Sequence, residues 1–112
     1  MKQFIKDLNV KDKVNCVYLA KEKREGQDKN GKKFLNLNLQ DSTGVINARV
    51  WEGADDLSKK FDSGDCIKIK GFVQLFQNNK QIIINDLSRV EEGLINKSEI
   101  FAGDTQSAKE AF

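Results

Sequence analysis

The stretch Lys33–Trp51, KFLNLNLQDSTGVINARVW, alternates apolar and polar residues on both sides of the tight turn Asp41-Ser42-Thr43-Gly44. Period-two alternation of this kind is the mark of two half-buried strands, so the segment reads as a β-hairpin. Leu35, Leu37 and Leu39 share one face of the first strand, and Ile46, Ala48 and Val50 share one face of the second. The opposite face carries Phe34, Asn36, Asn38, Gln40, Asn47, Arg49 and Trp51. Planar rings, amides and a guanidinium together are the side chains that stack on bases, bond their edges and meet phosphates in single-stranded nucleic acid. The ordinary reading stands beside this one: hairpin faces toward solvent are polar, and an aromatic at each end can simply pair across the strands.

Working outward, FIKDLNV at residues 4–10 reads as a short lead-in turn or half-strand that docks Phe4, Ile5, Leu8 and Val10 over one end of the core. Lys13 to about Arg24 reads as a long strand, apolar in its first half and charged in its second. A mobile basic loop follows, with a turn at Asn30-Gly31, where both residues tolerate positive φ. After the hairpin, Trp51, Ala54, Leu57 and Phe61 fall at near-helical spacing, which predicts a helix of two to three turns capping the barrel. The run CIKIKGFVQLFQ is the next strand, with Ile67, Ile69, Val73 and Leu75 on one face and Lys68, Lys70, Phe72, Gln74 and Phe76 on the other. Gly71 in its middle signals a bend or bulge. Asn78-Asn79 turns the chain into the last strand, KQIIINDLSRV.

Strand, strand, strand, helix, strand, strand is the layout of an all-β, five-stranded Greek-key OB-fold barrel with one helix between strands 3 and 4. The expected organisation is one such domain over residues 1–92 and a tail or linker over 93–112, in which Asp104 could N-cap a short helix reaching Phe112. Without a partner such a helix is marginal, so linker, frayed end and oligomer contact all remain open for the tail.

Composition narrows the function. The 112 residues are 38% hydrophobic and 32% charged, which suits one small core. The net charge of +2 is uneven: residues 1–90 carry 17 basic against 12 acidic side chains, residues 91–112 two against five. A mildly basic barrel suits phosphate contact of modest strength. There is no histidine and no CxxC spacing, so no cofactor or transition-metal site is expected, and Cys16 and Cys66 read as reduced thiols of a cytoplasmic protein unless their strands are neighbours. No signal-peptide-like run and no stretch of eighteen apolar residues occurs, which points away from secretion and the membrane. The acid pairs Asp55-Asp56 and Glu91-Glu92 read as solvated charge, and no phosphate-cradling glycine motif is present, so the chain alone is not expected to be an enzyme.

The opening MKQFIKDL, the run NGKKFLNLNLQDSTGVINARVW, Gly64-Asp65 before a β-run and the NNKQIII return resemble the N-terminal OB domain of YhaM-type 3′ to 5′ exoribonucleases. More loosely, they are similar to the anticodon-binding OB domains of aminoacyl-tRNA synthetases. The resemblance covers about residues 1–92 and implies a domain that holds RNA or DNA for a metal-dependent HD nuclease domain, in cis or in trans. An HD motif needs histidine, which this sequence lacks. The sequence also departs from the pattern in having no glycine from Lys13 to Glu25, where OB first strands commonly bend, so a bulge near Cys16 is expected to serve instead.

The candidate binding residues are therefore Phe34, Asn36, Asn38, Asn47, Arg49 and Trp51 on the hairpin, Lys70, Phe72 and Phe76 on the fourth strand, and Lys21, Lys23, Arg24, Lys29, Lys32, Lys33 and Lys80 around the groove. Lysines in loops are ordinarily just solvated, and Glu22 and Glu25 offset their basic neighbours. The leading expectation is a binder of single-stranded RNA or DNA, RNA by the resemblance. The rival is a protein-interaction OB domain that uses the same rings or a strand edge, and a third reading is sugar binding.

Overall fold

Five strands close into a barrel: β1 (Lys13–Gln27), β2 (Lys33–Asp41), β3 (Gly44–Val50), β4 (Cys66–Phe76) and β5 (Asn79–Arg89), with one helix, α1 (Ala54–Ser58), between β3 and β4. A computed structural model describes residues 3–91, Gly93 and Ile100. The strand order around the barrel is β1-β2-β3-β5-β4, with β4 closing on β1. All pairs are antiparallel except β3 with β5. This is the five-stranded Greek-key OB barrel that the element order predicts.

The hairpin alternation delivers the core. Leu35, Leu37, Leu39, Ile46, Ala48 and Val50 are all buried, joined by Val14, Tyr18, Ile67, Ile69, Val73, Ile82, Ile84 and Leu87 from the other strands. Burial of the Tyr18 ring pushes its phenol upward in pKa, so the hydroxyl stays protonated and donates to the Gln3 carbonyl. The lead-in is a single 3-10 turn, Ile5–Asp7, with Leu8 in the core and Ile5 packed on it, whereas Val10 is exposed. The turn is fastened by Asp41, a buried carboxylate that accepts from the backbone N–H of Ile5 at 2.8 Å and from Thr43 N–H and Oγ1–H at 2.7 and 2.6 Å.

Several local expectations change. The first strand runs on to Gln27, and its irregularity lies between Lys21 and Arg24, not near Cys16. Three steps on β1 there oppose two on β2, with Glu22 at φ 54°, so one extra residue bends the strand without any glycine. The loop after it is tied by Asp28, whose Oδ1 accepts from Asn30 N–H and Lys32 N–H. The helix has five residues, because Gly53 in the left-handed region leaves Trp51 outside it, although Ala54, Leu57 and Phe61 are buried as expected. The β4–β5 turn is Gln77-Asn78, both at positive φ, the backbone of a primed hairpin turn. Leu75 is 57% exposed because β4 outruns the core there. Cys16 and Cys66 are both buried and free, opposite Ile69 and Leu19 in the β1–β4 ladder. Of the tail, Ile100 packs with Leu19 and Cys66. The expected helix after Asp104 lies outside the described residues.

Gly71 sits where the β4–β5 register shifts, and a Cβ there would stand 2.0 Å from the Ile83 carbonyl oxygen. Gly71→Ala is expected to cost about 3 kcal/mol, the upper end for overpacking, and to lower the thermal midpoint by at least about 10 °C. A calorimetric scan showing an unchanged midpoint would refute that close approach.

Candidate nucleic-acid interface

Residues directly opposed on neighbouring strands project to the same side of a sheet, so the register sorts the outer face into rows. One row crosses all five strands as Lys21, Asn38, Asn47, Gln81 and Gln74. The next runs Arg24, Asn36, Arg49, Ile83 and Phe72. The bulge in β1 is what brings Lys21 and Arg24, an odd number of residues apart, to the same face.

At the edge of these rows the tip of the Phe34 ring lies against Gly26, where an added Cβ would come within 2.6 Å of Cζ. Phe34 and Trp51 pack with centroids 4.7 Å apart at 47°. The Arg49 guanidinium carbon stands 4.7 Å from the Phe34 centroid, 5.0 Å from Phe76 and 5.8 Å from Trp51. Contacts of this kind are worth about 0.5–2 kcal/mol each, the larger values where water is excluded. Arg49 Nε is nonetheless the buried side-chain polar atom without a hydrogen-bond partner among the described residues. The guanidinium opens onto a groove of about 690 Å³ lined by Asn36, Asn47, Phe76, Gln77, Asn78 and Gln81.

The amides form a connected ladder. Gln74 Nε2 donates to Gln81 Oε1 (3.3 Å), Gln81 Nε2 to Asn47 Oδ1 (2.6 Å), and Asn47 Nδ2 to Asn36 Oδ1, the Leu37 carbonyl and Asn38 Oδ1 (3.1, 3.2 and 3.4 Å). Gln81 is buried, and sequence reasoning did not single it out. Its signal is the parity of β5, where Gln81 alternates with the core residues Ile82 and Ile84. Gln77 and Asn78 were missed too, because the turn was placed one residue later.

A family model for OB-fold nucleic acid binding domains matches residues 17–90. The chain belongs to that family. Solved structures agree with the fold. The second OB-fold domain of replication protein A from Methanococcus maripaludis is similar over 85% of this chain and all of that one, at 25% identity and a TM-score of 0.55. The mitochondrial single-stranded DNA binding protein Rim1 of S. cerevisiae aligns over 74% of this chain and 97% of its own, at 13% identity and a TM-score of 0.61. Asparaginyl-tRNA synthetase from Pyrococcus horikoshii aligns over 80% of this chain but only 23% of that enzyme, at 18% identity and a TM-score of 0.64.

The basic candidates of this OB domain divide by what they touch. Lys23 Nζ donates to the carbonyls of Ser58 and Phe61 at 2.5 and 2.6 Å and lies over the Phe61 ring, so it ties the end of β1 to the chain leaving α1. Lys80 Nζ donates to the Leu8 carbonyl at 2.7 Å. Lys32 pairs with exposed Glu52 at 2.5 Å, and that hydrogen bond holds the Glu52 carboxyl below its ordinary range. Lys21, Arg24, Lys29 and Lys33 are exposed. Lys70 and Phe72 line a second depression of about 660 Å³ with Val10, Lys13, Asn15 and Leu75. Gln74 joins the two grooves, since it lines the second and bonds Gln81 in the first.

Two measurements follow from this division. Lys23→Ala should lower stability by about 2 kcal/mol, because two carbonyls lose a charged donor, whereas Arg24→Ala should leave the unfolding free energy within about 0.5 kcal/mol of wild type in urea titration. Arg49→Met removes a buried donor that has no partner but also three ring contacts, two opposing changes, so urea unfolding should find it within about 1 kcal/mol of wild type. A loss above about 3 kcal/mol would show that Arg49 serves the fold.

Proposed function

We propose that this OB domain holds single-stranded nucleic acid on the outer face of β2 and β3, as the substrate-holding module of a nuclease in cis or in trans or as a free accessory binder. The observation that carries the proposal is Arg49, its Nε buried without a hydrogen-bond partner and its guanidinium set among Phe34, Trp51 and Phe76 beside a row of amides on the sheet. The rings hold the guanidinium but leave its Nε unpaired, and a ligand phosphate or base edge is what its remaining donors suit. The family match and the likeness to replication protein A's OB domain support a nucleic-acid ligand. RNA and the nuclease context rest on the resemblance to the YhaM-type exoribonucleases.

In this reading bases stack on the outer faces of Phe34, Trp51 and Phe76, Arg49 meets a phosphate or base edge between them, and Lys21, Arg24 and Lys33 flank the strand's path. Titration of labelled single-stranded RNA and DNA oligonucleotides at two salt concentrations tests it. Affinity should fall with salt at a log-log slope of roughly −2, as for about three phosphate contacts on single strands. Phe34→Ala should weaken binding by roughly 5- to 150-fold, the range of one base stack. Binding that ignores salt would move the weight to protein docking, and no binding at low salt would refute the proposal.

A further inference from the structure

The amide ladder has a direction, and a single backbone atom sets it. Side-chain amides can ordinarily be turned end for end, which exchanges donor for acceptor. Here Asn47 faces the carbonyl oxygen of Leu37 at 3.2 Å, which only ever accepts. Asn47 must therefore aim its NH₂ at Leu37 and its Oδ1 at Gln81. Gln81 must then donate to Asn47 and accept from Gln74, and both bonds are present. On the other side, the two hydrogens of the Asn47 NH₂ serve three acceptors, so Asn36 (3.1 Å) and Asn38 (3.4 Å) both turn their oxygens inward and share the hydrogen that the Leu37 carbonyl leaves. One choice fixes all five amides, and aligned bonds of this kind strengthen one another.

The consequence is at the groove. With their oxygens committed inward, Asn36 and Asn38 present NH₂ groups outward, and the neighbouring Arg49 has donors only. Where Asn36, Asn38 and Arg49 lie together the recognition face thus offers donors, while Gln40 on the same face of β2 and Gln77 and Asn78 in the groove keep amide oxygens. Resting on the nucleic-acid reading above, we infer that the face formed by Asn36, Asn38 and Arg49 selects bases bearing an exocyclic carbonyl and discriminates against adenine. Thymine and uracil carry two such oxygens, cytosine one and guanine one, while adenine accepts only through ring nitrogens, of which N1 and N7 each lie beside an N6 amino donor that these NH₂ groups cannot accept. Stacking alone gives no such bias, because every base has a π-face.

The test is competition binding of 12-mers, run as DNA and as RNA: an all-thymine or all-uracil strand against the same strand with three central adenines, which keeps the flanks and backbone constant. Wild type should prefer the carbonyl-only strand by about five- to tenfold, the value of one to two hydrogen bonds. The Asn36→Leu/Asn38→Leu double variant should bind both strands within about twofold, while still stacking on Phe34. Asn38→Asp keeps an oxygen for Asn47 and turns the other outward, so its ratio should swing toward the adenine strand even as overall affinity drops. If the double variant does not fold, Asn38→Asp alone decides. A wild type that does not discriminate, or a preference that survives these substitutions, overturns the inference and leaves the nucleic-acid reading standing. No binding of either strand overturns both.

Discussion

Everything on the outer face depends on the register of β2 against β3. Leu37 opposes Ala48 in the core, and on the other side Asn36 opposes Arg49 and Asn38 opposes Asn47. A slip of β2 by one residue would turn Leu35, Leu37 and Leu39 to water and bury Asn36, Asn38 and Gln40, so the alternative pairing is excluded by several kcal/mol of burial alone. The turn holds the same register from the end. Asp41 binds both polar groups of Thr43 and also the backbone of Ile5, so one buried carboxylate sets the hairpin and closes the barrel over it.

The hairpin was legible because its alternation is unbroken and each face reports its surroundings directly. Legibility failed where spacing and backbone part company. Phe61 sits at helical spacing from Trp51 and is buried, but Gly53 lies in the left-handed region between them and the helix ends at Ser58. Spacing there reported which way side chains point, not the path of the chain. The bend in β1 was placed wrongly because no glycine marks it: Glu22 takes the positive φ that the bulge needs. Leu75 was assigned to the core by parity, but parity means burial only while a strand remains inside the barrel. The amide ladder was the least legible of all. It depends on β3 lying parallel to β5, a pairing between residues 34 apart in sequence that local pattern does not reveal.

The site carries a tension between stability and function. Arg49 sets its guanidinium among three rings and leaves a buried Nε without a partner, and an unpaired buried donor costs about 1–3 kcal/mol. The rings offset part of that cost, and in return Phe34 and Trp51 are held half-buried rather than loose on the surface. The cluster is therefore organised before any ligand arrives, which lowers the side-chain entropy lost on binding, at about 0.5–1.5 kcal/mol for each side chain that would otherwise have to order.

Charge adds less to this groove than the composition suggests. The bulge in β1 sends the adjacent residues Lys23 and Arg24 to different tasks, one to backbone carbonyls near α1 and the other to the outer face. Lys80 is likewise bound to a carbonyl, and Lys32 is paired with Glu52. Those three ammonium groups are engaged with the chain itself before a phosphate could reach them. What faces the groove is mainly rings, amides and one guanidinium, so stacking and hydrogen bonding must carry most of any affinity, with electrostatics the smaller share. A face built that way can distinguish one base from another, because phosphates are alike in every nucleotide and base edges are not.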